Sequence, residues 1–303
     1  MTKAYMSSIW LGDFHSKAEF EQAMPRLKSI FTIYDWIDDR LLLSRHRFVL
    51  PAYCVGCDKV TYMRVDWRRG DVDASYSVQP AWTETVVCEC GLNSRMRALL
   101  DFLKTRFGQL NLQDAYILEQ VTPLYQVIKS LNIARRWVGS EYCGPQLKGG
   151  KLVPDVRRLR FIRHEDLTAL SFSDASFDLV VTLDVFEHIP KYQCAFSEVY
   201  RVLRSPGYLV FTIPFFSDNA ETRVRATVNT DGTITHHLPP EIHGNPLSKE
   251  GSLCFQNFGW DILDALRATG FANAFAALYW GPWQGHLGYP LFVFCAIKGK
   301  ENL

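Results

Sequence analysis

Two close cysteine pairs, Cys54-Val-Gly-Cys57 and Cys88-Glu-Cys90, bracket one strand-like segment of the chain. Four thiolates supplied from two short turns suit a tetrahedral structural zinc ion with a hairpin between its knuckles. The second pair has one intervening residue instead of two, which is tighter than the usual knuckle. A metal would account for how a segment with few large apolar residues folds. The alternative is four unrelated cysteines, some buried by chance. Cys143, Cys194, Cys254 and Cys295 are scattered, and Cys194 and Cys295 read as packing residues on apolar faces.

A second group sits where apolar runs stop. YILE ends at Glu119, RRWVGSE at Glu141 and RFIRHED at Asp166. In open α/β sheets, ligands bind beyond the carboxyl ends of the strands. A carboxylate after the second strand can accept from both hydroxyls of a ribose, and one after the third from an adenine amine. Each acid alone reads equally well as a solvated strand-end residue; at three consecutive strand ends they support one another. The turn after the first strand, Gln120-Val121-Thr122-Pro123, contains no glycine. A dinucleotide needs glycine there so that the backbone can approach its pyrophosphate, so this turn argues against NAD.

A third group lies in residues 215–257, a connection far longer than usual and placed where substrate lids occur. It holds His236, His237, Glu241 and His243. Histidine titrates in the range needed to take a proton from an acceptor hydroxyl. His243, in E-x-H-G-N-P, is the first candidate base and His188 the second. His236, His237 and Glu241 are candidate acceptor contacts, with Tyr279 and its neighbours Trp280, Trp283 and His286 lining an acceptor pocket or packing the last strands. Histidines capping turns in a proline-rich loop are the bland alternative. No H-x3-H spacing or carboxylate pairing marks these histidines as a metal site.

The elements that must position these groups alternate. Residues 16–43 have helical periodicity, with Ser16 as N-cap. KVTYMRVDW and WTETVV read as strands separated by the turn-prone RRGDVDASYS. A helix runs from Asn93-Ser94 through RMRALLDFLKTRF to Gly108. Beyond Ala115 the strands YILE, RRWVGSE, LRFIRHED, FDLVVTLD, GYLVFTIP, a piece near AFAALYW, and LFVFCAIK alternate with the helices PLYQVIKSL, KYQCAFSEVYRVL and FGWDILDALRATG. This rhythm predicts an α/β fold: a Rossmann-like, seven-stranded, mainly parallel sheet flanked by helices, with a small zinc-binding β module and N-terminal helices. The expected division is a helical extension over 1–48, a zinc-knuckle module over 49–92, and an α/β domain over 93–303 with the lid insertion 215–257.

Lys and Arg number 33 against 32 Asp and Glu in 303 residues, a net charge of +1. Without a basic stripe, binding to a nucleic-acid backbone is disfavoured. The N-terminus MTKAYMSSIWLGDFHSKAEF has no uninterrupted apolar core of a signal peptide, and no segment is long enough to cross a bilayer. A cytoplasmic location is expected, where clustered cysteines are metal ligands or catalytic thiols instead of disulfides.

The stretch HEDLTALSFSDASFDLVVTLDVFEHIPKYQCAFSEVYRVLRSPGYLVFTIP resembles the class I S-adenosylmethionine-dependent methyltransferases, in particular their type 11 branch. Asp166, Phe172, Ser176, Phe177, Asp178, Glu187, His188, Arg201, Leu203, Arg204 and Gly207 carry the pattern. The resemblance implies S-adenosylmethionine as cofactor. It places Glu119 and the following turn, including Thr122, at the methionine end of the donor, Glu141 at the ribose, and Asp166 with Leu167 at the adenine. Asp184, Val185 and Phe186 would lie beside the methyl group. Arg95 or Arg97 would meet the donor carboxylate or simply form an exposed helix face. The departure is the turn after Glu119, where the family has G-x-G-x-G; a donor without phosphate can be met there by backbone amides, the Thr122 hydroxyl and a helix opened by Pro123. The expected activity is methyl transfer to a small-molecule acceptor, a hydroxyl of a sugar or natural-product intermediate. An RNA methyltransferase using the zinc module, or a methyltransferase-like scaffold that no longer binds donor, are the rivals, and a homodimer is left open.

Overall fold

Strand Phe177–Leu183 buries every residue except Asp178, a pattern that only a sheet covered on both faces can satisfy. The computed structural model describes residues 9–67, 80–156 and 159–299. In chain order they form β1 (Ile9–Phe14), α1 (Lys17–Leu41), β2 (Phe48–Cys54), β3 (Lys59–Val65), α2 (Trp82–Thr85), β4 (Val86–Val87) and α3 (Ser94–Phe107). Next come β5 (Leu112–Ile117), α4 (Pro123–Ser130), β6 (Ala134–Gly139), β7 (Leu152–Asp155), β8 (Arg160–Arg163), β9 (Phe177–Leu183), α5 (Tyr192–Val202) and β10 (Leu203–Thr212). The insertion adds β11 (Arg223–Val224), β12 (Ala226–Val228), β13 (Ile234–His236), β14 (Ile242–Asn245), β15 (Ser248–Leu253) and β16 (Gln256–Asn257), followed by α6 (Asp261–Thr269), β17 (Asn273–Gly281) and β18 (His286–Lys298).

The main sheet has seven strands in the order β1-β17-β18-β10-β9-β5-β6. β6, β5, β9 and β10 are mutually parallel, β18 is antiparallel to β10, and β17 and β1 each reverse again. The fold is therefore the expected Rossmann-like α/β sheet, with two changes of membership. RFIR does not join the sheet: it pairs as β8 with β7 in a separate hairpin, and a single bridge between Glu141 and His164 is its link to the sheet edge. Its flanking arginines and the exposed Phe161 suit a hairpin at the surface better than a buried strand. The seventh place goes to β1, in a segment expected to be helical, where Leu11 and Phe14 join the core.

Helices α1, α5 and α6 cover one face through Leu27, Phe196 and Leu263; α3 and α4 cover the other through Leu99, Phe102, Leu124 and Ile128. Ser16 caps α1 by accepting from the Glu19 amide at 3.2 Å. At the opposite end of the sheet from the strand-end acids, Asp178 accepts from the Gln113 and Asp114 amides, and Arg204 spans Asp178 at 2.9 Å and Asp114 at 2.7 Å. This clamp fixes the register of β5, β9 and β10.

β2, β3 and β4 form a separate three-stranded sheet whose core is Leu50, Met63, Val65, Trp82 and Val86, completed by Leu287 from β18. A Cβ on Gly56 would lie 2.8 Å from Val127, and one on Gly91 would lie 2.9 Å from Pro123. The cysteine-bearing turns therefore press directly on α4. None of the eight cysteines is disulfide-bonded. No helix among the described residues is long and apolar enough to cross a membrane.

Candidate active site

The four cysteine sulfurs lie within 4.8 Å of one another, with Cys54–Cys90 and Cys57–Cys88 both at 3.7 Å. Sulfurs bound tetrahedrally at about 2.3 Å from zinc stand roughly 3.8 Å apart, so the chain has brought them to the spacing that ion requires. Hydrogen bonding from Cys54 holds the Cys90 thiol low, at about 5. Cys54 is fully buried and Cys57 partly exposed, so a bound ion would be closed off on one side only.

At the strand ends, the missing glycines are replaced by side-chain bonds. Glu141 Oε1 accepts from both the Gln120 and Val121 amides at 2.7 Å, so the carboxylate expected at the ribose also closes the turn after β5. The Gln120 side chain donates to the Phe161 carbonyl and accepts from the Arg163 amide, joining the same turn to β8. Thr122, at the N-cap of α4, donates its hydroxyl to Glu119 at 2.6 Å. Asp166 Oδ1 accepts from the amide and hydroxyl of Thr168, and Leu167 is 4% exposed behind it. Glycine has not vanished from the site but moved to its neighbours. A Cβ on Gly139 would lie 2.6 Å from the Tyr125 ring, so Tyr125 can cross the end of β6 only because that residue is glycine. Burial pushes the Glu119 carboxyl up to about 7, with the Glu141 charge adding to the rise and Thr122 and Arg95 opposing it.

Past β9, Asp184 has a positive φ of 47° and is held by the Thr212 hydroxyl at 3.0 Å. Arg95 pairs with it and with Glu84, donating to the latter at 2.9 Å. A cavity of about 170 Å³ opens beside them, lined by Arg95, Ala98, Thr212, Ile213, Phe215, Tyr279 and the strand Leu291–Val293. It is smaller than the roughly 300–1,000 Å³ of most small-molecule pockets, and it suits one end of a ligand. Arg97 is not at this rim; it is fully buried, donating only to carbonyl groups.

The insertion brings His243 to His188, their rings 5.0 Å apart. Both flank Glu187, a buried carboxylate that the sequence pattern contained but gave no role. His243 Nε2 faces Glu241 at 2.8 Å and its Nδ1 faces Glu187 at 3.7 Å. Glu187, then Glu241, raises its pKa. Both ring nitrogens of His243 thus face carboxylates, an arrangement that bears against its expected role as base. His188 is held similarly, its Nδ1 meeting the Leu253 carbonyl at 2.8 Å and its Nε2 facing Glu187 at 3.6 Å. His236 and His237 are exposed on and beside the β12–β13 hairpin, His237 bonding to Thr227. Phe186 is fully buried between Phe196 and Phe211, so it packs the core and offers no face to a donor. Tyr279 does line the cavity; Trp280 instead stacks on Tyr34 at 3.6 Å.

Residues 127–211 match the methyltransferase-domain family. The sterol 24-C-methyltransferase of Neurospora crassa is 27% identical over 112 residues, 35% of this chain and only 27% of the relative's length. Among solved structures, an S-adenosylmethionine-dependent methyltransferase of Mesorhizobium loti aligns with a TM-score of 0.41 and 15% identity, over 66% of this chain and 98% of its own. The 1,6-didemethyltoxoflavin-N1-methyltransferase of Burkholderia thailandensis, solved with S-adenosylhomocysteine, gives 0.39 and 16% over 68% and 78%. The matched segment runs from within α4 to the end region of β10, through the centre of the sheet. The α/β part of the chain has a Rossmann-like fold, and its central segment matches the methyltransferase-domain family.

Proposed function

We propose that the chain is an S-adenosylmethionine-dependent methyltransferase acting on a small molecule, with a hydroxyl of a sugar or natural-product intermediate as the acceptor. The supporting observation is the knitting of the turns after β5, β6 and β8 around Glu119, Glu141 and Asp166 at one rim. In this reading Glu119 meets the donor ammonium, Glu141 the ribose, and Asp166 the adenine. The small cavity beside Arg95 and Asp184 receives the acceptor, and the near-neutral charge disfavours a nucleic acid. The sulfonium is already activated, so most of the enzyme's work is alignment: the methyl group passes to the acceptor oxygen, S-adenosylhomocysteine leaves, and the hydroxyl proton passes to solvent. We take the cysteine cluster as a structural zinc site and the cytoplasm as the chain's location.

Calorimetry with S-adenosylhomocysteine tests the reading. Binding should be lost at least tenfold in Glu141→Ala, and the absence of heat well above micromolar concentration would favour a scaffold. Affinity should also depend on pH. A donor ammonium needs the Glu119 carboxylate, which burial pushes up to about 7. Binding is therefore full above that value and falls about tenfold per unit as pH drops below it. Glu119→Gln should bind weakly with a flat profile; a flat profile in the unsubstituted chain would remove Glu119 from the donor site. Incubation with hydroxyl- and amine-bearing candidates, read as the gain of one methyl group by mass spectrometry, distinguishes oxygen from nitrogen acceptors.

A further inference from the structure

The geometry points to a second metal site, formed by Glu187, His188 and His243, that binds a divalent transition-metal ion and ties the insertion to the turn after β9. Glu187 is fully buried, and neither of its carboxylate oxygens accepts a hydrogen bond. A buried carboxylate in that state is strongly unfavourable unless a positive charge stands against it.

The two histidines face it with the wrong atoms for a hydrogen bond. His188 Nδ1 lies 2.8 Å from the Leu253 carbonyl, which can only accept, so the ring proton sits there and Nε2 is bare. That bare nitrogen is 3.6 Å from Glu187 Oε1. His243 Nε2 lies 2.8 Å from Glu241 Oε1, again an acceptor, leaving Nδ1 bare and 3.7 Å from the same Glu187 oxygen. Glu241 is held in turn by Arg225 at 3.0 Å. With both rings neutral, three lone-pair donors converge within 4.8 Å of one another.

The separations separate two explanations. A protonated histidine paired with Glu187 would close to roughly 2.7–2.9 Å. Ligands held at about 2.1 Å around a tetrahedral ion stand roughly 3.4 Å apart, close to what is seen. Both rings also carry the outer partner, carbonyl or carboxylate, that fixes a metal-binding histidine's tautomer. Two imidazoles and one carboxylate suit Zn²⁺, Fe²⁺, Co²⁺ or Mn²⁺ and leave positions open. Cys254, close to Glu241 and His243, donates its thiol to the Gln256 carbonyl and is not a ligand. Because His243 belongs to β14 and the other two ligands to the turn after β9, the ion would pin the insertion down. The site stands on these residues whether or not the chain transfers methyl groups.

Mn²⁺ reports on this site selectively, since it prefers nitrogen and oxygen donors and leaves a zinc-loaded thiolate cluster alone. Titration of the full zinc-loaded chain, followed by loss of the free Mn²⁺ paramagnetic resonance signal, should give one ion per chain. Affinity should fall at least tenfold in His188→Ala and His243→Ala and stay unchanged in His236→Ala, with circular dichroism as the folding control. Glu241→Gln, which touches no ion, should weaken binding by about 10–100-fold. It carries the test should the alanine variants not fold, together with Mn²⁺ protection of residues 215–257 from protease. No Mn²⁺ or Zn²⁺ taken up beyond the cysteine equivalent, or equal uptake by His243→Ala, overturns the site.

Discussion

Arg97→Met should destabilise the folded chain by about 3–5 kcal/mol, because buried carbonyl acceptors lose their charged donor. Arg97 is fully buried, and its guanidinium donates to the carbonyls of Val86, Leu92, Gln284 and Gly285 at 2.8 to 3.3 Å. Those carbonyls belong to β4, the cysteine turn that follows it and the turn before β18, so one side chain ties the cysteine-bearing module to the last strand. Burial lowers its pKa, and the negative charge of Cys54, Cys88 and Cys90 opposes that effect. Methionine keeps the volume but removes the donor from all four; Leu92 and Gly285 keep the Cys88 amide and the Ser94 hydroxyl, while Val86 and Gln284 lose the guanidinium, at about 1–3 kcal/mol for each buried carbonyl left without a donor. The midpoint of thermal unfolding should drop by roughly 10 °C, at about 2–4 °C per kcal/mol for a domain of this size. Arg95→Met should behave oppositely. Its ion pairs are part-exposed, so the stability change should stay within about 1 kcal/mol while donor binding suffers. Equal melting of the Arg97 variant and the parent chain would show that water reaches the carbonyls.

The contrast between these neighbouring arginines marks where sequence reasoning stopped. Helical periodicity located α3, but two arginines near its start look alike until a burial environment separates them. The residues that carried the family resemblance proved largely structural. Arg204 and Asp178 clamp the far end of the sheet, Arg201 ties Glu198 and Asp174, and Phe172 packs on Tyr116 and Phe177. Such patterns are local in the chain, so they were legible. The three strand-end acids were legible for the same reason, since each ends an apolar run. The bridging of Gln120 and Glu141 across turns was not, because it depends on where RFIR goes, and that strand left the sheet for a hairpin. Likewise no spacing rule links Glu187 to His243. They meet only because β14 folds back over the turn after β9, which a count of intervening residues cannot reveal.

Removing metal from the cysteine cluster should cost the chain both stability and donor affinity, although none of its four cysteines is among the residues proposed to hold the donor. Zinc-finger peptides draw about 10–16 kcal/mol of apparent free energy from a structural zinc. Here the module retains a core of its own around Trp82 and Met63, so a smaller loss is expected, lowering the melting midpoint by on the order of 10 °C. The link to the donor is contact. Gly91 abuts Pro123 and Gly56 abuts Val127, so the cysteine turns brace α4, whose N-terminal turn follows Glu119. Glu84, also in the module, holds Arg95 against Asp184. A turn built without glycine has side chains where backbone would otherwise lie close to the ligand, and it needs that external brace to keep one conformation. Cys57→Ser and Cys88→Ser should therefore bind no zinc, show faster amide exchange over residues 118–128, and bind S-adenosylhomocysteine at least tenfold more weakly. Far less than one zinc per chain after purification without chelator, with an unchanged melt, would reduce the four cysteines to packing. Loss of zinc with donor affinity intact would instead mean that the bonds from Glu141 hold the turn without help from α4's neighbours.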